Sequence, residues 1–229
     1  MLFHPMDILI FLAFGISIWA QFKVKGNFKK WSEVETRTGL SGADAARQIL
    51  DNNGLSHVPI EVVPGMLSDH YDPIQRTVRL SESVYYGNSI ASVSVAAHEV
   101  GHAIQHQQSY RALVLRHRIF PIANVASGIA PLLLIAGMFM QQLSLIGVGI
   151  VFFSAAVAFQ LITLPVEFDA SKRARNLMVT EGILFNDEEH GVKKVLNAAA
   201  LTYVAGALVA LFELIKFVMI FFQGNQDDE

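Results

Sequence analysis

Two apolar runs without a single charged residue, 119–140 and 143–166, are separated only by Gln141 and Gln142. Each is long enough to cross a hydrocarbon core of about 30 Å as a helix. In a bilayer every backbone N–H and C=O must be bonded within the chain, so the pair reads as a transmembrane helical hairpin. A buried hairpin of a water-soluble fold is the other reading. Two long charge-free runs in 229 residues, 52% hydrophobic and only 16% charged, weigh against it.

Two further apolar stretches flank this hairpin. Residues 3–20 carry one charge, Asp7, and residues 198–222 are interrupted by Glu213 and Lys216. An ion pair inside a membrane is costly unless it faces other helices. The first stretch lacks the basic start and small-residue cleavage pattern of a signal peptide, and Lys23, Lys25, Lys29 and Lys30 follow it instead. It reads as an anchor. Of the 17 Lys and Arg, 16 lie in 21–120 and 167–197, and none lies in the 141–142 turn or in 224–229. The positive-inside rule then places both basic segments in the cytoplasm and both termini outside, with four crossings.

The segments between the crossings read as folded. Ser41 with Asp44 three residues on is a capping-box variant, and Asn53-Gly54 ends the helix it starts. Short strands are expected at 60–63 and 76–80, with a turn-rich Ser68–Pro73 segment between them and a helix over 91–107. There is no internal repeat. The net charge of −3 offers no footprint for nucleic acid. With no cysteine, any zinc must rest on His and carboxylate.

Within the 91–107 helix, His98-Glu99-Val100-Gly101-His102 is an H-E-x-x-H motif. Residues i and i+4 stack two imidazoles on one helix face, where both can bind one tetrahedral zinc. Glu99 stands beside the position left open for water and can pass its proton to a leaving amine. The bland alternative is a helix with solvent-facing histidines. Small residues (Ser92, Ser94, Ala96, Ala97, Gly101, Ala103) crowd the helix and suit close packing beneath a site.

A third ligand is still needed. The extended pattern with a glycine and a third histidine on the same segment is absent, because Gln105 and Gln108 occupy those places. His106 lies a further turn along and reads as a supporting or surface residue. Another segment, 164–171, holds Glu167 and Asp169, which sit about 200° apart on a helix and cannot both face one ion. Capping and interfacial solvation are the ordinary explanation for such carboxylates.

These residues carry a resemblance. D-H-Y-D-P-I-Q-R-T-V-R-L-S at 69–81, A-A-H-E-V-G-H-A-I-Q-H at 96–106, L-P-V-E-F-D-A-S-K-R-A at 164–174 and A-L-T-Y-V-A at 200–205 resemble the YugP-like bacterial membrane zinc metallopeptidases. More broadly they resemble the membrane gluzincins, which include the HtpX-type and CAAX prenyl proteases. The resemblance implies His98, His102 and Glu167 as zinc ligands and Glu99 as general base. With Pro165 expected to open a new helix, Glu167 faces the zinc and Asp169 is left for capping. The gluzincin E-x-x-A-D pattern is broken, since Ser171 stands at the aspartate that usually orients a zinc histidine, so Ser171 or Asp169 must stand in.

The fold expected is mainly α: four transmembrane helices (3–20, 119–140, 143–166, 198–222) with a small cytoplasmic α+β zincin-like catalytic part. Residues 21–118 would supply the catalytic region and 167–197 a helical segment carrying the third ligand. Strand 76–80 is expected at the sheet edge, where an extended peptide could add as a strand. Tyr203, His190, Arg175 and Tyr71 are candidates to stabilise an oxyanion. The function expected is a zinc endopeptidase at the cytoplasmic face of the bacterial inner membrane, acting on peptides or membrane proteins. A non-hydrolytic zinc-binding or regulatory module is the other class, though it would have no need of Glu99. A site-2-type intramembrane protease fits less well, since the motif lies on a polar helix ending in Gln105-His106-Gln107-Gln108 and no N-x-x-P-x-x-x-x-D-G follows.

Overall fold

The computed structural model describes residues 4–227. Phe3 and the last two residues of the tail, on which the expected first span and outside C-terminus partly rest, lie outside the described residues. Four helices among the described residues are long and apolar enough to cross a membrane. They are α1 (Met6–Ser32), α5 (Arg111–Phe139), α6 (Leu143–Thr180) and α7 (Glu189–Asp227). All four outrun their apolar stretches. The 38 residues of α6 measure about 57 Å at 1.5 Å per residue, well beyond a hydrocarbon core.

This corrects one expectation. Pro165 does not open a helix; it lies inside α6, as Pro121 and Pro131 lie inside α5. Helices that cross membranes tolerate proline because neighbouring groups re-satisfy the freed carbonyl. Glu167 therefore lies on the same helix as the third apolar run.

The chain divides into two compact units. One comprises Met1–Trp19, Val114–Leu164 and Tyr203–Glu229, the other Ala20–Leu113 and Pro165–Thr202. In the first, Lys216 on α7 pairs with Asp7 on α1, so the cation inside the fourth apolar stretch is met by a carboxylate of a neighbouring helix.

The second unit adds α2 (Gly42–Asn52), β1 (Ile60–Val63), β2 (His70–Asp72), β3 (Thr77–Ser81), α3 (Glu82–Tyr85) and α4 (Ile90–Gln107). Ser41 caps α2 by accepting from the Asp44 N–H at 3.1 Å, and the Asp44 carboxylate returns the bond. Gly54, at φ +73°, closes the other end in the left-handed region. The strand order is β1-β3-β2, with β1 parallel and β2 antiparallel to β3. A second expectation falls here. The 76–80 strand is the centre of the sheet, not its edge, and the segment read as a turn contains the edge strand β2. Arg79 on β3 ties the three strands together, pairing with Asp72 at 2.6 Å and Glu61 at 3.1 Å. Val78 and Leu80 turn into a core shared with Ile49 and Leu50 of α2, Val93, Val100 and Ile104 of α4, and Ala174 and Met178 of α6.

Candidate metal centre

Helix α4 starts at Ser89, whose hydroxyl accepts from the Ser92 N–H at 3.1 Å. Its small residues let it sink into the core, with Ala96, Ala97, Val100 and Ala103 buried. Gly101 sets the depth. A Cβ built there would lie 2.8 Å from the Ala170 carbonyl oxygen, so only glycine lets α4 approach α6 this closely. On α4, His98 and His102 flank that contact; on α6, Glu167 and Ser171 flank Ala170.

The contact brings three groups together. His98 Nε2 lies 3.3 Å and His102 Nε2 3.7 Å from Glu167 Oε2. One ligand atom from each of the three residues falls within 4.8 Å of the others, and His98, His102 and Glu167 form the metal-ligating group found among the described residues. Asp169 and His106 are not in it. Asp169 faces Arg173 and Gln105 instead, and His106 Nδ1 meets the Tyr71 hydroxyl at 2.9 Å. The capping role expected for Asp169 is thereby replaced, since it sits in mid-helix.

The outer nitrogens of both imidazoles are held. Gln105, fully buried, donates through Nε2 to the Val166 carbonyl and to Asp169 Oδ2, both at 2.8 Å. Both partners are pure acceptors, which fixes the amide orientation and turns Oε1 toward His102 Nδ1 at 3.0 Å. An amide oxygen only accepts, so Nδ1 carries the proton and Nε2 offers its lone pair to the cluster. Ser171 Oγ lies 3.1 Å from His98 Nδ1 and can receive its proton in the same way. Ser171 and Asp169, left open by the sequence, thus divide the work: one meets His98 directly, the other holds the glutamine that meets His102. In the sequence Gln105 stands where the extended motif has its glycine and at the polar end of the helix, with no partner visible. Its signal was a polar residue at a buried position of a helix made of small residues.

The electrostatics suit a cation. Glu99 and Glu167 are both buried, at 8% and 3% exposure. Burial pushes the Glu99 carboxyl above its ordinary range; His98 and His102 oppose the rise, while Glu167 and Asp69 add to it. Burial also opposes charging of His102, but the Glu167 hydrogen bond and the Glu99 and Glu167 charges outweigh it and raise the imidazole above its usual value. Two buried carboxylates beside two imidazoles thus make a site able to accept a cation. Two imidazole nitrogens and one carboxylate are the donor set of a catalytic zinc site with one position open, so the residues fit that metal.

Three of the oxyanion candidates have other partners. Tyr71 is engaged with His106, His190 packs edge-on against Trp31 with centroids 6.2 Å apart, and Arg175 pairs with Glu189 at 3.7 Å. Tyr203 belongs to the other unit.

Comparison with known proteins gives the same class. The family described as "Putative neutral zinc metallopeptidase" matches residues 6–222, and the chain belongs to it. Zinc is the metal that family implies. The chain is also 64% identical over 220 residues to "Putative membrane protease YugP" of Bacillus subtilis (strain 168), covering 96% of this chain and 98% of that protein. No solved structure matches.

Proposed function

We propose that the protein is a membrane-anchored zinc endopeptidase whose zincin-like unit cleaves peptide bonds at the cytoplasmic face of a bacterial inner membrane. The observation that carries this is the convergence of His98, His102 and Glu167, with the buried Glu99 one residue from the first ligand. His98 Nε2, His102 Nε2 and a Glu167 oxygen would hold the metal. When bound, zinc supplies a Lewis acid for the scissile carbonyl and makes a water acidic enough to be deprotonated near neutral pH. Glu99 takes that proton on its carboxylate and hands it to the nitrogen of the leaving amine. Gln105 and Ser171 keep the two imidazoles aimed. The open side of β2, whose other side pairs with β3, can receive an extended substrate backbone as an added strand. The 16-of-17 concentration of basic residues in 21–120 and 167–197 supports the cytoplasmic placement.

The test is hydrolysis of an unstructured protein such as casein by the purified chain in detergent. Activity should disappear on chelation and return with stoichiometric zinc. A protein that binds zinc through these residues but hydrolyses nothing would support the non-hydrolytic module instead.

A further inference from the structure

Beyond the zinc centre, α6 and α7 enclose a second groove of about 200 Å³. Its cationic wall is Lys172 and Arg175 on α6 and Lys193 on α7, with Asn197 beside them. Its apolar floor includes Phe168, 49% exposed, and Leu196. Glu189 is shared between two of the three cations, at 3.7 Å from Arg175 and 4.0 Å from Lys193, so the groove keeps an excess of positive charge.

Its place along the helices narrows the ligand. On α6 the groove begins at Phe168, two residues beyond the charge-free run 143–166; on α7 it ends at Ala200, within the apolar stretch 198–222. Both helices therefore carry it at the end of their apolar segments, where headgroups lie. Basic pockets between helices at this level bind anionic headgroups, and a guanidinium with two ammonium groups matches a phosphodiester flanked by acyl chains. Asn197 adds an amide donor, and Phe168 with Leu196 offers surface to the chains. We propose that this groove is a binding site for the phosphate headgroup of an anionic phospholipid. Ser171, which meets His98 on one side, also lines this groove.

The full chain, purified in a neutral detergent, would be titrated with phosphatidylglycerol, phosphatidylcholine or inorganic phosphate while its unfolding midpoint is followed. Phosphatidylglycerol at about 100 times its dissociation constant should raise the midpoint by about 5–10 °C. Phosphatidylcholine and inorganic phosphate should raise it far less. The Lys172→Gln/Arg175→Gln/Lys193→Gln protein should lose most of the rise, whereas Lys29→Gln/Lys30→Gln, which removes two cations elsewhere, should keep it. Should the triple variant fail to fold, Lys172→Gln and Lys193→Gln would be titrated singly, each weakening phosphatidylglycerol several-fold. An undiminished response in these variants would overturn the proposal. So would an equal response to phosphatidylcholine, or a response that inorganic phosphate alone reproduces, which would mark a free-anion site.

Discussion

The side-chain oxygen of Gln105 lies 3.0 Å from Nδ1 of His102, and the amide behind it is locked by the Val166 carbonyl and the Asp169 carboxylate. Removing such an outer partner of a zinc histidine typically costs 10–100-fold in metal affinity or activity. Gln105→Leu should therefore weaken zinc by about that factor. Gln105→Glu keeps an acceptor for Nδ1 but sets a carboxylate oxygen against the Val166 carbonyl and the Asp169 carboxylate, so it should weaken zinc as well. A chelator-competition titration reads both values, and equal affinities for wild type and Gln105→Leu would remove the glutamine from the site.

Gly101 permits the approach of α4 to α6. In Gly101→Ala the new methyl meets the Ala170 carbonyl at 2.8 Å, and backbone must move. The expected cost is about 1–3 kcal/mol, as for other overpacked cores. Zinc affinity should fall with it, because the contact lies between the ligand pairs. A thermal melt of the zinc-free and zinc-loaded protein checks this, and an unchanged melt in both forms would contradict it.

The ligand set separates by metal content. His98→Ala, His102→Ala and Glu167→Ala each remove one of three donors and should purify with little zinc. His106→Ala should keep near-stoichiometric metal, since its imidazole serves Tyr71. Asp169→Ala should still fill at saturating zinc but release it more readily, since it acts through Gln105. A zinc-replete Glu167→Ala protein would mean another group supplies the third ligand.

How much of this was legible in the chain depended on distance along it. The α4 helix, its paired imidazoles and the Ser41 capping box rest on spacings of three and four residues, and sequence shows such spacings directly. Glu167 was reachable through resemblance but not through its own helix, because Pro165 looked like a helix start. In a helix that continues out of an apolar run, proline is no such signal. The sheet order is hidden in the sequence for a related reason. Nothing local in Thr77–Ser81 says that β1 and β2 pair on opposite sides of it. Gln105 was invisible because its role exists only once Val166 and Asp169 of α6 have been packed against it.

Topology can be probed without catalysis. Single cysteines, introduced into a chain that has none, should be shielded from an impermeant thiol reagent in intact cells at positions 60 and 180. Those at 141 and 226 should react. Labelling at 60 from outside would reverse the arrangement and move the proposed site to the other face of the membrane.

The most direct measurement compares wild type with Glu99→Gln, purified alike, for zinc content and for hydrolysis of an unstructured protein substrate. Glutamine keeps the shape of Glu99 but cannot carry the proton, and Glu99 is not among the three ligating groups. Zinc should remain near one per chain while turnover falls by about 10²–10⁴-fold, the usual contribution of a positioned acid–base group. A Glu99→Gln protein that cleaves as fast as wild type would contradict the proposed mechanism.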